Sequence, residues 1–184
     1  MAPESGTGNA QLGNRWRFAM WGGAACLLLL PAIAMRFTSE VDWDARDFIT
    51  MGAMLAAACG AYEIGARMSR NFSYRAGFAL MVLASFVLVW GNLAAGLIGT
   101  ERNPANLVFA GVLALVVGGA FATRCQPQGM ARTMFATAVF QAVIGVFALL
   151  GGWVDAFVVC GVFVALWLAS AWLFARAARA TFAR

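Results

Sequence analysis

Six apolar stretches joined by short connections constrain this chain more than any other feature. They run from Arg17 to Met35, Phe48 to about Ala66, Tyr74 to Ile98, Pro104 to Thr123, Met130 to Leu150 and Val154 to Ala175. Each is near the roughly 20 residues that a helix needs to cross about 30 Å of hydrocarbon at about 1.5 Å per residue. The chain is 62% hydrophobic and 11% charged. Soluble domains carry about 25% charged residues, and a small one cannot hide this much apolar surface from water. The expected fold is therefore all-α, a polytopic six-transmembrane-helix bundle. Residues 15–178 form its single domain. Residues 1–14, polar and without period, are expected to be disordered, and residues 179–184 to form a basic tail.

The arginines orient the bundle. All 13 basic residues are Arg. Ten fall on one side of the six stretches: Arg15, Arg17, Arg67, Arg70, Arg75, Arg124, Arg132, Arg176, Arg179 and Arg184. Arg36, Arg46 and Arg102 fall on the other, together with Glu40, Asp42, Asp44, Asp47, Glu101 and Asp155. Short loops rich in Arg stay in the cytoplasm, so both termini are expected there, and the outer face is left net negative. Trp16, Trp43 and Trp153 fall at the expected interfaces, where amphipathic rings concentrate. Arg15 and Arg17, the following apolar run and Ala32-Ile33-Ala34 also fit a signal peptide. The length of that run favours a retained span.

Composition narrows the chemistry. The chain has no His, which removes the commonest neutral-pH acid/base, the commonest metal ligand and the usual haem ligand. No Ser or Cys nucleophile motif is present, so no enzyme is expected. Cys26, Cys59 and Cys160 fall within spans, where burial as small hydrophobes is expected, and Cys125 falls in a cytoplasmic loop. None has CxxC spacing, so no disulfide framework is expected. The net charge of +5 is spread over loops and the C-terminal end. It fits topology and anionic lipid, not nucleic acid. No cofactor is named by the sequence. Phe86, Trp90 and Trp167 would suit a quinone or carotenoid slot, but helical membrane cores are rich in such residues.

A few polar positions stand out as functional candidates. Glu40, Asp42, Asp44 and Asp47 lie within eight residues and offer oxygen ligands for a hard cation. The simpler reading is a solvated loop in which Asp44 or Asp47 caps the second span. No metal site is expected there. Glu63 lies in a span, where ionisable groups mark function, but Arg67 stands four residues later in the favourable order for a helix ion pair. Asn92, Glu101, Asn103 and Asn106 could form an outward polar pocket or a well-capped hairpin turn, with Asn103-Pro104 reading as N-cap and first helical residue. The triplet Asn103-Pro104-Ala105 also occurs in aquaporins, but they carry two such motifs on half-helices and this chain has one. Gln141, near the middle of the fifth span, needs a partner in hydrocarbon, so it is expected to face another helix.

The pattern Trp43-Asp44-x-x-Asp47-Phe48, then Ala61-Tyr62-Glu63, then Trp90-x-Asn92-x-Ala94-x-Gly96-x-x-Gly99-x-Glu101-x-Asn103-Pro104-Ala105-Asn106 resembles a group of small uncharacterised bacterial multi-spanning membrane proteins. The resemblance covers roughly residues 27–135. It implies a bacterial inner-membrane location and carries over no activity.

Two functional readings follow. One is an accessory or scaffold subunit that packs with partner membrane proteins, with itself or with lipid. The other is a small oligomeric transporter or channel whose polar path uses Glu63, Gln141, Asn92 and Glu101. Topology is testable directly. A reporter enzyme active only outside the cytoplasm should be active when inserted between residues 38 and 43 and silent at the C-terminus. The reverse pattern refutes the assigned orientation.

Overall fold

The computed structural model of the protein describes residues 7–100 and 102–182, with side chains described for 16–100 and 102–180. Six α-helices follow one another: α1 (Thr7–Ala34), α2 (Ala45–Met68), α3 (Phe72–Ala94), α4 (Val108–Ala122), α5 (Pro127–Leu150) and α6 (Val154–Phe182). A single 3₁₀ turn, Pro104–Leu107, leads into α4. The described residues contain no strand. Six helical segments are long and apolar enough to cross a membrane. The protein is an all-helical, multi-pass membrane protein.

Contacts divide the chain into two compact units, Met1–Gly60 and Ala61–Arg184. The continuous apolar pattern of residues 15–178, expected to form one domain, carries no mark of this division. In the first unit, α1 comes near α2 where a methyl group on Gly52 would stand 3.7 Å from Leu28 Cδ2. The second unit takes the last two turns of α2 and packs α3, α4, α5 and α6 together. Within it α6 lies between α3 and α5, and α4 lies against α5.

The helix ends differ from the apolar limits for local reasons. α1 begins at Thr7, within the stretch 1–14 expected to be disordered. Extending an existing helix fixes one residue per hydrogen bond, whereas starting one is costly. By the same logic α6 runs to Phe182 and takes in Arg179, expected to begin a tail. α3 stops at Ala94, short of Ile98. Gly96 takes a positive φ of 69°, and its N–H donates to the Asn92 carbonyl at 3.2 Å. This is a left-handed C-terminal cap that glycine adopts without steric cost.

α4 and α5 end in the same two-bond motif. After α5, Gly152 (φ 85°) donates to the Leu149 carbonyl and Trp153 to that of Ala148, at 3.0 and 2.9 Å. After α4, Arg124 donates to Phe121 and Cys125 to Ala120, at 3.0 and 2.9 Å. Both are Schellman caps. The second places Arg124 at φ 50° where glycine is usual, and Cys125 follows at φ 54°. The Tyr74 hydroxyl holds this turn from α3, donating to the Cys125 carbonyl at 2.8 Å.

Small residues bring the helices together. A methyl group on Gly77 would stand 3.2 Å from Leu173 Cβ, and one on Gly145 would stand 3.0 Å from Cys160 Cβ. Gly119 leaves no room for a Cβ beside the Thr133 side chain. Close approach of this kind lets helices pack by dispersion where lipid supplies no hydrophobic drive. Around these contacts Trp167, Phe174, Tyr74, Phe109 and Leu88 are fully buried. Tyr74 and Phe174 meet edge to face with centroids 5.3 Å apart.

The left-handed Arg124 is a testable strain. That conformation costs a non-glycine residue about 1–2 kcal/mol, partly offset by glycine's greater freedom when unfolded. Arg124→Gly should raise the melting temperature in detergent, by a net gain of up to about 1 kcal/mol. Arg124→Ala should not, since alanine keeps the Cβ. Equal effects from both variants refute the cap assignment.

Candidate functional site

The acidic segment is built as a helix start. Asp44 Oδ1 accepts from the backbone N–H groups of Arg46 and Asp47 at 2.7 and 3.0 Å. Asp47 Oδ2 accepts in return from the N–H of Asp44 at 3.0 Å. This reciprocal pair satisfies three donors at the first turn of α2, and its negative charge complements the helix dipole. Trp43 stacks edge to face on Phe48 with centroids 5.4 Å apart, which fixes the entry of the chain. Among the described residues, no group of three or more His, Cys, Asp or Glu is placed to hold a metal ion.

Glu63 and Arg67 form the expected pair, with Arg67 Nη2 to Glu63 Oε2 at 3.1 Å. The Arg67 side chain is 72% exposed and that of Glu63 14%. The carboxylate lies against the protein, while the guanidinium reaches outward as long cationic side chains do near an interface. An exposed pair of this spacing contributes only about 0.3–0.5 kcal/mol.

Asparagines at the end of α3 and after it form a knot. Asn106 is 5% exposed. Its Oδ1 accepts from the N–H groups of Leu97 and Ile98 at 3.1 and 2.8 Å, and its Nδ2 donates to the Thr100 carbonyl at 2.7 Å. One side chain thus satisfies the backbone that Gly96 turned out of α3. Asn92 Nδ2 donates to the Asn106 carbonyl at 3.4 Å. Asn103 Oδ1 accepts from the N–H of Ala105 at 3.0 Å, capping the 3₁₀ turn with Pro104 first inside it. Three of the four residues expected to share this region, Asn92, Asn103 and Asn106, do so. Glu101 lies outside the described residues.

A cavity of about 110 Å³ adjoins the knot, lined by Asn92, Asn106, Leu88, Phe109 and Leu113 among others. Asn92 Oδ1 is buried without a hydrogen-bond partner. The space suits a few water molecules and falls well below the roughly 300 Å³ of ordinary ligand pockets.

Gln141 is fully buried and faces α6, its Nε2 donating to Cys160 Sγ at 3.4 Å. Its Oε1 is buried without a partner, as is Trp167 Nε1. Thr137, one turn earlier on α5, donates to the Thr133 carbonyl at 2.9 Å. Ser170 on α6 donates to the Gly77 carbonyl of α3 at 2.9 Å. The sequence reading missed Ser170 because one hydroxyl in an apolar span carries no pattern. Its only signal was that such a group needs a partner in hydrocarbon.

Two further expectations change. Cys26, expected to be buried, is exposed along α1, whereas Cys59 and Cys160 are buried; no disulfide joins any of the four cysteines. An apolar span shows its surface residues to lipid, so position in a span does not imply burial. Cys125 is half-buried in the α4–α5 turn, and burial pushes its thiol pKa up. Trp167 has no exposed surface while Trp90 is 45% exposed, so the two do not line one open slot.

No family model, curated protein or solved structure matches the chain.

The knot makes a sharp prediction. Asn106→Leu removes one acceptor and one donor, leaving the N–H groups of Leu97 and Ile98 unpaired, while the Thr100 carbonyl keeps its bond from the Asn103 N–H at 3.0 Å. Each unpaired buried group costs about 1–3 kcal/mol, so the variant should lose at least about 2 kcal/mol of stability. Thermal denaturation in detergent measures this. Asn103→Ala, which removes one part-buried cap bond, should lose about 1 kcal/mol. A neutral Asn106→Leu refutes the structural role.

Proposed function

We propose that this protein is a non-enzymatic accessory or scaffold subunit of a bacterial inner (cytoplasmic) membrane, with both termini in the cytoplasm. It packs with partner membrane proteins, with itself or with lipid. The observation that carries this reading is the use of the internal polar groups. Glu63 is paired with Arg67, Gln141 with Cys160, Ser170 with Gly77, and Asn106 with the backbone after α3. The last three each hold one piece of the fold to another, and the first lies within one turn of α2. The outer surface carries large apolar groups, including Phe121, Phe135, Phe147 and Leu150. Location and orientation rest on the arginine distribution and on the resemblance to small bacterial membrane proteins. The lack of His and of a nucleophile motif supports a role without catalysis.

Transport is the second reading. It is favoured by one observation, the unpartnered Oε1 of the fully buried Gln141. A buried polar group inside a span marks a pathway in many transporters. Against it, the other end of the same amide is held by Cys160, and the cavity beside Asn92 is small.

Purification of the tagged full chain from native membranes in mild detergent, followed by native mass spectrometry, separates the two. The accessory reading expects an assembly of fixed stoichiometry that survives dilution. A chain alone or in a pure homo-oligomer, with solute flux in proteoliposomes that falls on Gln141→Leu, overturns it and establishes transport.

A further inference from the structure

A groove of about 680 Å³ runs between the first half of α5 and the last half of α6. The two helices are joined by the tight turn after Leu150 and run antiparallel, so these halves lie together at the end of the hairpin away from that turn. Arg132 and Arg179 line the groove near this end, with Gln128 one helical turn from Arg132. Farther in, the lining is apolar: Phe135, Trp172 and Leu168. From Arg179 to Leu168 is eleven residues of α6, about 16 Å at 1.5 Å per residue. That reach takes the groove from the charged end of the helix to roughly the middle of a 30 Å hydrocarbon layer.

The charges choose the occupant. Arg132 and Arg179 form no ion pair among the described residues. Arg176, on the same end of α6, has its guanidinium 5.6 Å from the centre of the Trp172 ring, adding positive potential beside the groove wall. A second copy of this chain offers little to neutralise them. At the matching end its described acid is Glu63, already held by Arg67. An uncharged apolar helix would bring no counter-charge to the two guanidiniums. A molecule with an anionic head and a long apolar tail matches both ends.

We propose that this groove binds one anionic phospholipid of the surrounding leaflet, its phosphate between Arg132 and Arg179 and an acyl chain along Phe135, Trp172 and Leu168. Guanidinium suits phosphate through paired N–H donors, and basic pockets between membrane helices hold anionic headgroups. This inference does not depend on the accessory role and holds equally for a transporter.

The test uses the full chain stripped of native lipid in detergent and native mass spectrometry with phosphatidylglycerol or phosphatidylcholine of identical chains. Phosphatidylglycerol should bind in a 1:1 adduct, roughly tenfold or more in preference to phosphatidylcholine. The double variant Arg132→Gln/Arg179→Gln should bring the two lipids level, while Arg36→Gln/Arg46→Gln should leave the preference intact. Leu168→Trp, which fills the inner groove without touching charge, should weaken both lipids at this site. Arg132→Lys/Arg179→Lys keeps the charge and should keep most of the preference, which guards against loss of fold in the glutamine variant. Equal binding of both lipids by the unaltered chain overturns the proposal. So does a preference unchanged in the double glutamine variant, or a stable dimer that excludes lipid from the groove.

Discussion

In hydrocarbon a polar group without a partner has no water to turn to, and much of this structure answers to that constraint. Helices satisfy their own interiors. The difficulty moves to their ends, where the last four carbonyls and first four N–H groups are free. α4 and α5 close with paired Schellman bonds, α3 with a left-handed glycine, and α2 opens on the reciprocal Asp44–Asp47 cap. Between α3 and α4 the backbone is irregular, and the Asn106 side chain takes up its free groups.

The same constraint accounts for the polar groups inside the four-helix unit. Ser170 and Gly77 join α6 to α3 at a close approach of the two helices, and Gln141 and Cys160 join α5 to α6. Such bonds contribute about 0.6 kcal/mol each on average in membranes, so they guide packing more than they power it. The driving contacts are the dispersion interactions that Gly77, Gly119 and Gly145 permit. Gln141 Oε1 and Trp167 Nε1 break the rule, being buried and unpartnered on facing helices. They mark where the interior is polar beyond what its packing uses.

The exposed face has a matching logic. In the second unit large apolar side chains cover the lengths of the helices, and Arg67, Arg70, Arg75, Arg124, Arg132, Arg176 and Arg179 lie near the helix ends joined by the α2–α3 and α4–α5 connections. In the groove between α5 and α6 these two features meet, and the ends of an anionic lipid correspond to them. A lipid held there would lie against the same pair of helices that carries Gln141 and Cys160, so occupancy would bear on the α5–α6 interface.

Much of this was legible in the chain itself. The six spans follow from apolar length, because hydrocarbon thickness sets helix length. The Asp44 and Asp47 cap, the Glu63–Arg67 pair and the Asn103-Pro104 start depend on residues within four positions of each other, so spacing alone specified them. What needed the tertiary structure is whatever depends on distant residues meeting. Asn106 became the centre of a knot because the chain after Gly96 folds back over it. Cys26 stayed exposed and Cys160 became buried though both lie in apolar spans. Arg132 and Arg179, separated by 47 positions, came to share one groove because α5 and α6 run antiparallel. Apolar periodicity cannot choose the inward face when both lipid and core are apolar, so only packing decides which face each helix buries.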